Sequence, residues 1–187
     1  MMRIITGKAR GIKLNTLEGE NTRPTSERAK EAVFSMIQFD IEGREVLDLF
    51  AGSGQMGLEA VSRGAVGATF VDKSKDAARV IEQNIDKTKL SGFCRLFNSD
   101  VQDFIRVTRG KKKYDVVFID PPYALHAVAP TLKSMLDGEM LKPTSIIVCE
   151  SEEADIFESD FALKDRFEII KCAKYGIAHI TIVKPII

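Results

Sequence analysis

The chain has 187 residues, of which 44% are hydrophobic and 29% charged, a size and balance that suit one folded domain and exclude wholesale disorder. No apolar run reaches the ~18 residues of a membrane span, and the opening MMRIITGKAR lacks the apolar stretch of a secretory signal, so a cytoplasmic protein without a membrane partner is expected. The net charge of +0 hides an asymmetry, because residues 1–30 carry seven basic and three acidic side chains and residues 145–168 carry eight acidic and two basic ones, a pattern that points to an anionic partner at the basic end.

Residues 1–22 read as a small extension before a domain over 23–187. "RIITGKARGIKL" holds two short β-prone runs around a glycine-bearing turn, which predicts a hairpin away from the rest. In "TRPTSERAKEAVFSMI" a helix follows, with Thr25 or Ser26 as its cap and Ala29, Ala32, Val33, Met36 and Ile37 on one buried face. From residue 45 strands and helices alternate. "EVLDLF", "GATFVD", "FCRLFN", "YDVVFI" and "SIIVCE" are the strands. "QMGLEAVSRG", "SKDAARVIEQNIDKTK" (capped by Ser74), "VQDFIRVT" and "AVAPTLKSML" are the helices. Apolar strands alternating with helices predict a mostly parallel, Rossmann-like α/β sheet covered on both faces. "RFEIIKCAKYGIAHITIVK" adds an antiparallel hairpin at the sheet edge. Cys94, Cys149 and Cys172 lack metal-ligand spacing to one another or to His126 and His179, so no metal is expected.

"LDLFAGSGQMG" sets Gly52, Gly54 and Gly57 between a strand and a helix, where glycines allow a tight turn and close approach of a ligand. Asp72 ends the next strand, where a carboxylate can accept ribose hydroxyls, and Asp100 follows the third strand within reach of an adenine amino group. The expected cofactor-facing set is Asp48, Phe50, Ala51, Gly52, Gly54, Asp72, Lys73, Asp100 and Val101. NAD competes for this loop, but the Asp48 carboxylate would repel a pyrophosphate and attract the ammonium of a methionine. S-adenosyl-L-methionine is the expected cofactor.

In "FIDPPYALH", Asp120, Pro121, Pro122 and Tyr123 follow the fourth strand and open into the same crevice. Prolines stiffen the turn. The Asp120 carboxylate and the Pro121 carbonyl can accept the two N–H bonds of an aromatic amine and favour a more nucleophilic nitrogen. Tyr123 can stack on a base, which must be splayed out of a folded nucleic acid to arrive there. Arg3, Lys8, Arg10, Lys13 and Arg23 are the candidate RNA contacts. His126 and Tyr175 flank the motif and the last hairpin without an assigned role.

"RIITGKARGIKL", "TRPTSERAKEAVFSMI", "LDLFAGSGQMGLEAVSRGA", "DPPY" and "KYG" together resemble the bacterial 16S rRNA guanine-N2 methyltransferases of the RsmD type, nearly end to end. "DPPY" alone also occurs in DNA adenine-N6 and cytosine-N4 methylases. The resemblance implies a seven-stranded methyltransferase core with an N-terminal RNA-binding hairpin, and methyl transfer to the N2 amino group of a guanine in small-subunit ribosomal RNA held in a protein-bound particle. It implies catalysis by Asp120 to Tyr123 and cofactor contacts by Gly52, Gly54, Asp72 and Asp100; a monomer is expected, although the sequence does not fix the oligomeric state. Gln55 stands where the family's loop has a small residue. The alternatives are a DNA amino-methyltransferase, disfavoured because about 65 residues between the loop and "DPPY" leave no room for a target-recognition insertion, and a non-catalytic RNA-binding assembly factor, disfavoured by the intact Asp72, Asp120 and Tyr123.

Overall fold

Continuous apolar runs make strands that are buried on both faces. In the computed structural model, which describes residues 2–17 and 24–187 (for 24–26 the backbone alone), these runs form a seven-stranded sheet. Its strands are β1 (Glu45–Leu49), β2 (Gly67–Asp72), β3 (Cys94–Asn98), β4 (Tyr114–Ile119), β5 (Leu141–Ser151), β6 (Phe167–Tyr175) and β7 (Ala178–Pro185). They lie in the order β3-β2-β1-β4-β5-β7-β6. The first five are parallel, and β7 is antiparallel to both β5 and β6. The expected edge hairpin is therefore present, with β6 outermost.

The helices are α1 (Pro24–Met36), α2 (Gln55–Ser62), α3 (Lys75–Thr88), α4 (Val101–Thr108), α5 (Val128–Asp137) and the short α6 (Phe161–Lys164). Successive strand residues point to opposite faces, so the sheet fills two cores. Val46, Phe70, Val116, Phe118 and Val148 meet Phe34, Leu58 and Ile81 of α1, α2 and α3. Leu47, Leu49, Val117, Ile119 and Ile147 meet Phe104 and Leu132 of α4 and α5. Strand order reverses between β1 and β4, and open α/β sheets bind ligands in the crevice at such a switch point.

Local chemistry sets the element ends. The Ser74 hydroxyl accepts the Ala77 N–H at 3.2 Å and caps α3. α1 begins at Pro24, so Thr25 and Ser26 fall inside its first turn rather than before it; proline suits the first helical position because its missing donor is not needed there. β5 starts earlier than the apolar run "SIIVCE". The Ser145 hydroxyl accepts the Lys142 N–H (2.8 Å) and donates to the Tyr114 carbonyl (2.7 Å), and the β4–β5 register shifts between Tyr114 and Val116. Such an irregularity accommodates Pro143 within a strand.

The N-terminal segment closes as a hairpin with a single antiparallel bridge, Arg3 to Lys13, supported by Ile4 N–H to Ile12 O and Leu14 N–H to Met2 O, each 3.0 Å. It is shorter in ladder than two full strands because much of its backbone bonds to the core. Ile5 and Thr6 donate to the two Glu59 carboxylate oxygens at 2.7 and 3.0 Å. Lys8 N–H reaches the Ser62 carbonyl at 2.8 Å, and Ala9 N–H reaches the Ser62 hydroxyl at 2.9 Å. Gly7, at φ +86°, is obligatory there: a Cβ would sit 1.8 Å from the Ser62 carbonyl oxygen. Met2, Ile4, Ala9 and Leu14 join the same core as α1, α2 and α3. Residues 18–23, which include Arg23, lie outside the described residues.

Glu59 is fully buried, and the Arg63 guanidinium also donates to it at 2.8 Å. The Lys30 ammonium lies 3.9 Å away and donates to the Arg3 carbonyl at 2.8 Å; burial holds its pKa below the usual lysine value. Removing one partner of a buried charged cluster leaves the others uncompensated, at a cost of about 3–5 kcal/mol. Glu59→Ala is expected to lose stability of that order in chemical denaturation. A loss below about 1 kcal/mol would show that this carboxylate does not hold the hairpin.

Candidate active site

A cavity of about 560 Å³ opens at the carboxyl ends of β1, β2, β4 and β5. Its floor is the loop that leaves β1. Phe50 (φ +61°), Gly52 (φ +55°) and Gly54 (φ +76°) turn the chain sharply into α2. A bulky residue such as Phe50 at positive φ is strained, and strain of this kind gathers at functional sites. Two carboxylates fasten the loop: Asp48 accepts the Gly57 N–H and Asp72 accepts the Gly52 N–H, each at 2.9 Å.

The three glycines do different things. Gly52 lines the cavity with Asp48, Phe50 and Ala51. Gly54 lies behind it, outside the lining, where a Cβ would come 3.3 Å from both Ile81 and Phe70. Gly57 packs α2 against β2, since a Cβ would meet the Phe70 ring at 2.4 Å. The structure thus places Gly54 in the turn, close against Phe70 and Ile81.

Asp48, Asp72, Asp100, Asp120 and Glu150 all line the cavity, and Lys73 is the one basic side chain among the described lining residues. Val101 is beside Asp100. Asp72 is held on both oxygens, with Ser74 N–H donating to the second at 2.8 Å. Asp100 caps α4 by accepting the Gln102 N–H at 2.8 Å. Asp48 is 3% exposed. Burial pushes its carboxyl up to about 7, the Gly57 N–H opposes that, and the Asp72 charge adds to it.

Beyond β4, Pro121 is buried and Pro122 (φ −51°, ψ 127°) leads into a single 3₁₀ turn over Tyr123–Leu125. Asp120, Pro121, Pro122 and Tyr123 all face the cavity. The Tyr123 hydroxyl donates to a Glu150 oxygen at 3.0 Å. Burial, and next the Glu150 charge, raise the Tyr123 hydroxyl above the ordinary tyrosine range, and burial raises Glu150 above the usual carboxylate range against that hydrogen bond. Glu150 escaped the sequence reading although its signal was present: it ends an apolar strand, as Asp72 and Asp120 do. Gln55 and Met56, from the glycine motif itself, also line the cavity, as do Met2 and Leu17, which carry no local motif.

His126 faces away, paired with Glu153 on the far side of Tyr123. Tyr175 packs against the first core, and Gly176 turns the β6–β7 hairpin at φ +64°; neither lines the cavity. Arg3, Lys8, Arg10 and Lys13 are exposed. Directly opposed residues in an antiparallel pair share a face, so Arg3 and Lys13 present their charges together. Lys8 sits 5.6 Å from the centre of the Phe93 ring. Met2 and Leu17 bring the hairpin to the cavity edge, in contrast to the expected stand-off. Among the described residues no helix is long and apolar enough to cross a membrane.

The Asp48 shift has a measurable consequence. A carboxyl with a raised folded-state pKa binds its proton more tightly when folded, so its contribution is fully present below about 3.8 and is lost as pH rises through about 7. Between those limits the loss is on the order of 4 kcal/mol. Asp48→Asn, which keeps an oxygen for the Gly57 N–H, should lack this slope. Denaturation from pH 4 to 7.5 is expected to show wild type losing stability relative to the variant; parallel curves would contradict the assignment.

The family profile described as "Conserved hypothetical protein 95" matches residues 2–184. The chain is 36% identical to ribosomal RNA small subunit methyltransferase D of Haemophilus influenzae over 153 residues, 81% of this chain and 79% of the relative. It is 34% identical to the protein of the same name from Escherichia coli over 151 residues, 81% of this chain and 75% of the relative. Its fold matches a solved structure described as putative methyltransferase yhhF from Escherichia coli with a TM-score of 0.83 at 29% identity, covering 98% of this chain and 97% of that one. The chain belongs to the family described as conserved hypothetical protein 95, that of the small-subunit ribosomal RNA methyltransferase D proteins.

Proposed function

We propose that the protein transfers a methyl group from S-adenosyl-L-methionine to the exocyclic N2 amino group of a guanine in small-subunit (16S) ribosomal RNA. The observation that carries this reading is the acid lining: five carboxylates and one lysine around a single cavity. Such a lining repels a pyrophosphate and attracts a cation, and 560 Å³ suits a nucleoside-sized ligand. S-adenosyl-L-methionine supplies a methyl group on a positively charged sulfur. The names of the relatives support ribosomal RNA as the substrate.

Each residue has a part. Asp72, oriented by the Gly52 and Ser74 N–H groups, keeps lone pairs for the ribose hydroxyls. Asp48 faces the methionine ammonium. Asp100 and Val101 border the adenine. Asp120 and the Pro121 carbonyl accept the two N–H bonds of the guanine amine and draw it toward a nucleophilic geometry, while Tyr123 supports the base. The proton lost from N2 leaves through Asp120 to solvent. The exposed Arg3 and Lys13 pair contacts phosphate, which positions the RNA without reading its sequence.

Calorimetry with S-adenosylhomocysteine tests the cofactor. Asp72→Ala is expected to weaken binding by about 1–3 kcal/mol, and tighter binding of NAD than of S-adenosylhomocysteine would overturn the reading. Single-turnover methylation tests the chemistry. Asp120→Ala should leave the affinity for S-adenosylhomocysteine nearly intact and cut the rate steeply, because its bonds matter most as the amine becomes nucleophilic. Asp120→Asn should retain more activity than Ala, since an amide oxygen accepts one N–H. A wild-type rate for the alanine variant would make Asp120 structural.

A further inference from the structure

We propose that Glu150 reads the N1–H of the target guanine and thereby selects guanine over the other amino-bearing bases. The inference rests on the methyl-transfer reading above and names the residue that sets its base specificity.

The sheet register puts Glu150 beside Asp120. Ile119, the last residue of β4, pairs with Cys149 of β5, so Asp120 and Glu150 each follow directly on a paired position of two strands spaced about 4.8 Å apart. Both line the main cavity, and both line a second cavity of about 80 Å³ that shares Gln55 and Met56 with it. The walls of that second cavity are largely apolar, including Val33, Phe118, Val148 and Ile180. A flat base edge entering there meets the Asp120 and Glu150 carboxylates, with Lys30 and Gln55 also in the lining and apolar groups around them. The Tyr123 hydroxyl holds one Glu150 oxygen at 3.0 Å. An ionised carboxylate offers about four acceptor positions, so this bond orients Glu150 and leaves it able to accept more.

Base chemistry supplies the selection. In guanine the amino-bearing carbon lies between N1–H, a donor, and N3, an acceptor, and in the proposed pose the N1 side turns toward Glu150. In adenine the amino-bearing carbon adjoins N1, and in cytosine it adjoins N3; both are acceptors. With the amine held by Asp120 and the Pro121 carbonyl, the adjoining ring atom lies toward Glu150. Guanine gives the carboxylate a hydrogen bond, whereas adenine and cytosine turn a lone pair toward a half-buried charge. Sites built around a hydrogen bond reject analogues lacking it by about 10⁴-fold or more, because the polar group is left unpaired. Burial raises Glu150 above the usual carboxylate range, which makes it the stronger acceptor for N1–H.

The competing role is that Glu150 only anchors the Tyr123 ring. Glu150→Gln, Glu150→Ala, Tyr123→Phe and the double variant Glu150→Ala with Tyr123→Phe separate the two. The assay is single-turnover methylation of small-subunit particles from cells lacking this protein, with S-adenosylhomocysteine affinity measured alongside. With its oxygen on the Tyr123 O–H, the Gln amide turns its NH₂ toward N1–H; reversed, it gives up the Tyr123 O–H. Glu150→Gln is therefore expected to lose about 100-fold or more in kcat/KM, with S-adenosylhomocysteine affinity kept. Tyr123→Phe should lose less, and the loss in Glu150→Ala, which offers no acceptor in any orientation, should persist in the Tyr123→Phe background. Activity of Glu150→Gln within about threefold of wild type, disappearance of the Glu150→Ala loss in that background, or a collapse of S-adenosylhomocysteine affinity would each overturn the proposal. The nucleoside made by the wild type tests the underlying reading separately. N2-methylguanosine together with an active Glu150→Gln variant rejects the Glu150 role alone, whereas any other methylated nucleoside rejects both.

Discussion

Carboxylates at the ends of adjacent parallel strands repel one another, and the structure around the crevice depends on how that repulsion is held. Asp48 sits under the glycine loop and takes the Gly57 N–H; Asp72 takes the Gly52 and Ser74 N–H groups. Backbone donors thus pin acids that would otherwise spread apart, and the acids in turn pin the loop. Phe50 is held at positive φ by the same framework. Burial first, and the Asp72 charge after it, keep the Asp48 carboxyl raised, an imbalance against its charged form. A ligand bearing positive charge removes that imbalance, which links loop stability to cofactor choice.

The second constraint is Glu59. A single buried carboxylate on α2 collects two hairpin N–H groups, the Arg63 guanidinium and a nearby Lys30. The N-terminal hairpin is thereby part of the main core, and its basic face is fixed relative to the crevice through Met2. The hairpin and the cavity are then parts of one packed unit, and under the proposed function phosphate contacts on the hairpin would position the nucleotide at Asp120.

Much of this was readable from residue patterns. "VQDFIRVT" and "YDVVFI" coincide with α4 and β4 because amphipathic and continuous apolar patterns are local signals. The strand-end acids Asp72, Asp100 and Asp120 were legible for the same reason, each following an apolar run. The rest depended on distance in sequence. Nothing near Ile5 announces a carboxylate 54 residues on, so the hairpin read as separate from the core. Gly54 matched a glycine motif by spacing, yet the Phe70 and Ile81 side chains behind it decide its use. Glu150 was hidden by its neighbours: followed by Glu152 and Glu153, it read as part of an acidic surface run, and only the β4–β5 register sets it beside Asp120.

The central claim is that these acids at the sheet edge deliver a methyl group to guanine N2. The most direct measurement incubates the purified protein with small-subunit particles from cells lacking it and with S-adenosylmethionine carrying an isotopically labelled methyl, then digests the RNA and separates the nucleosides by mass. The expected result is label in N2-methylguanosine alone. Label in N6-methyladenosine or N4-methylcytidine, or no label in the RNA, would contradict it.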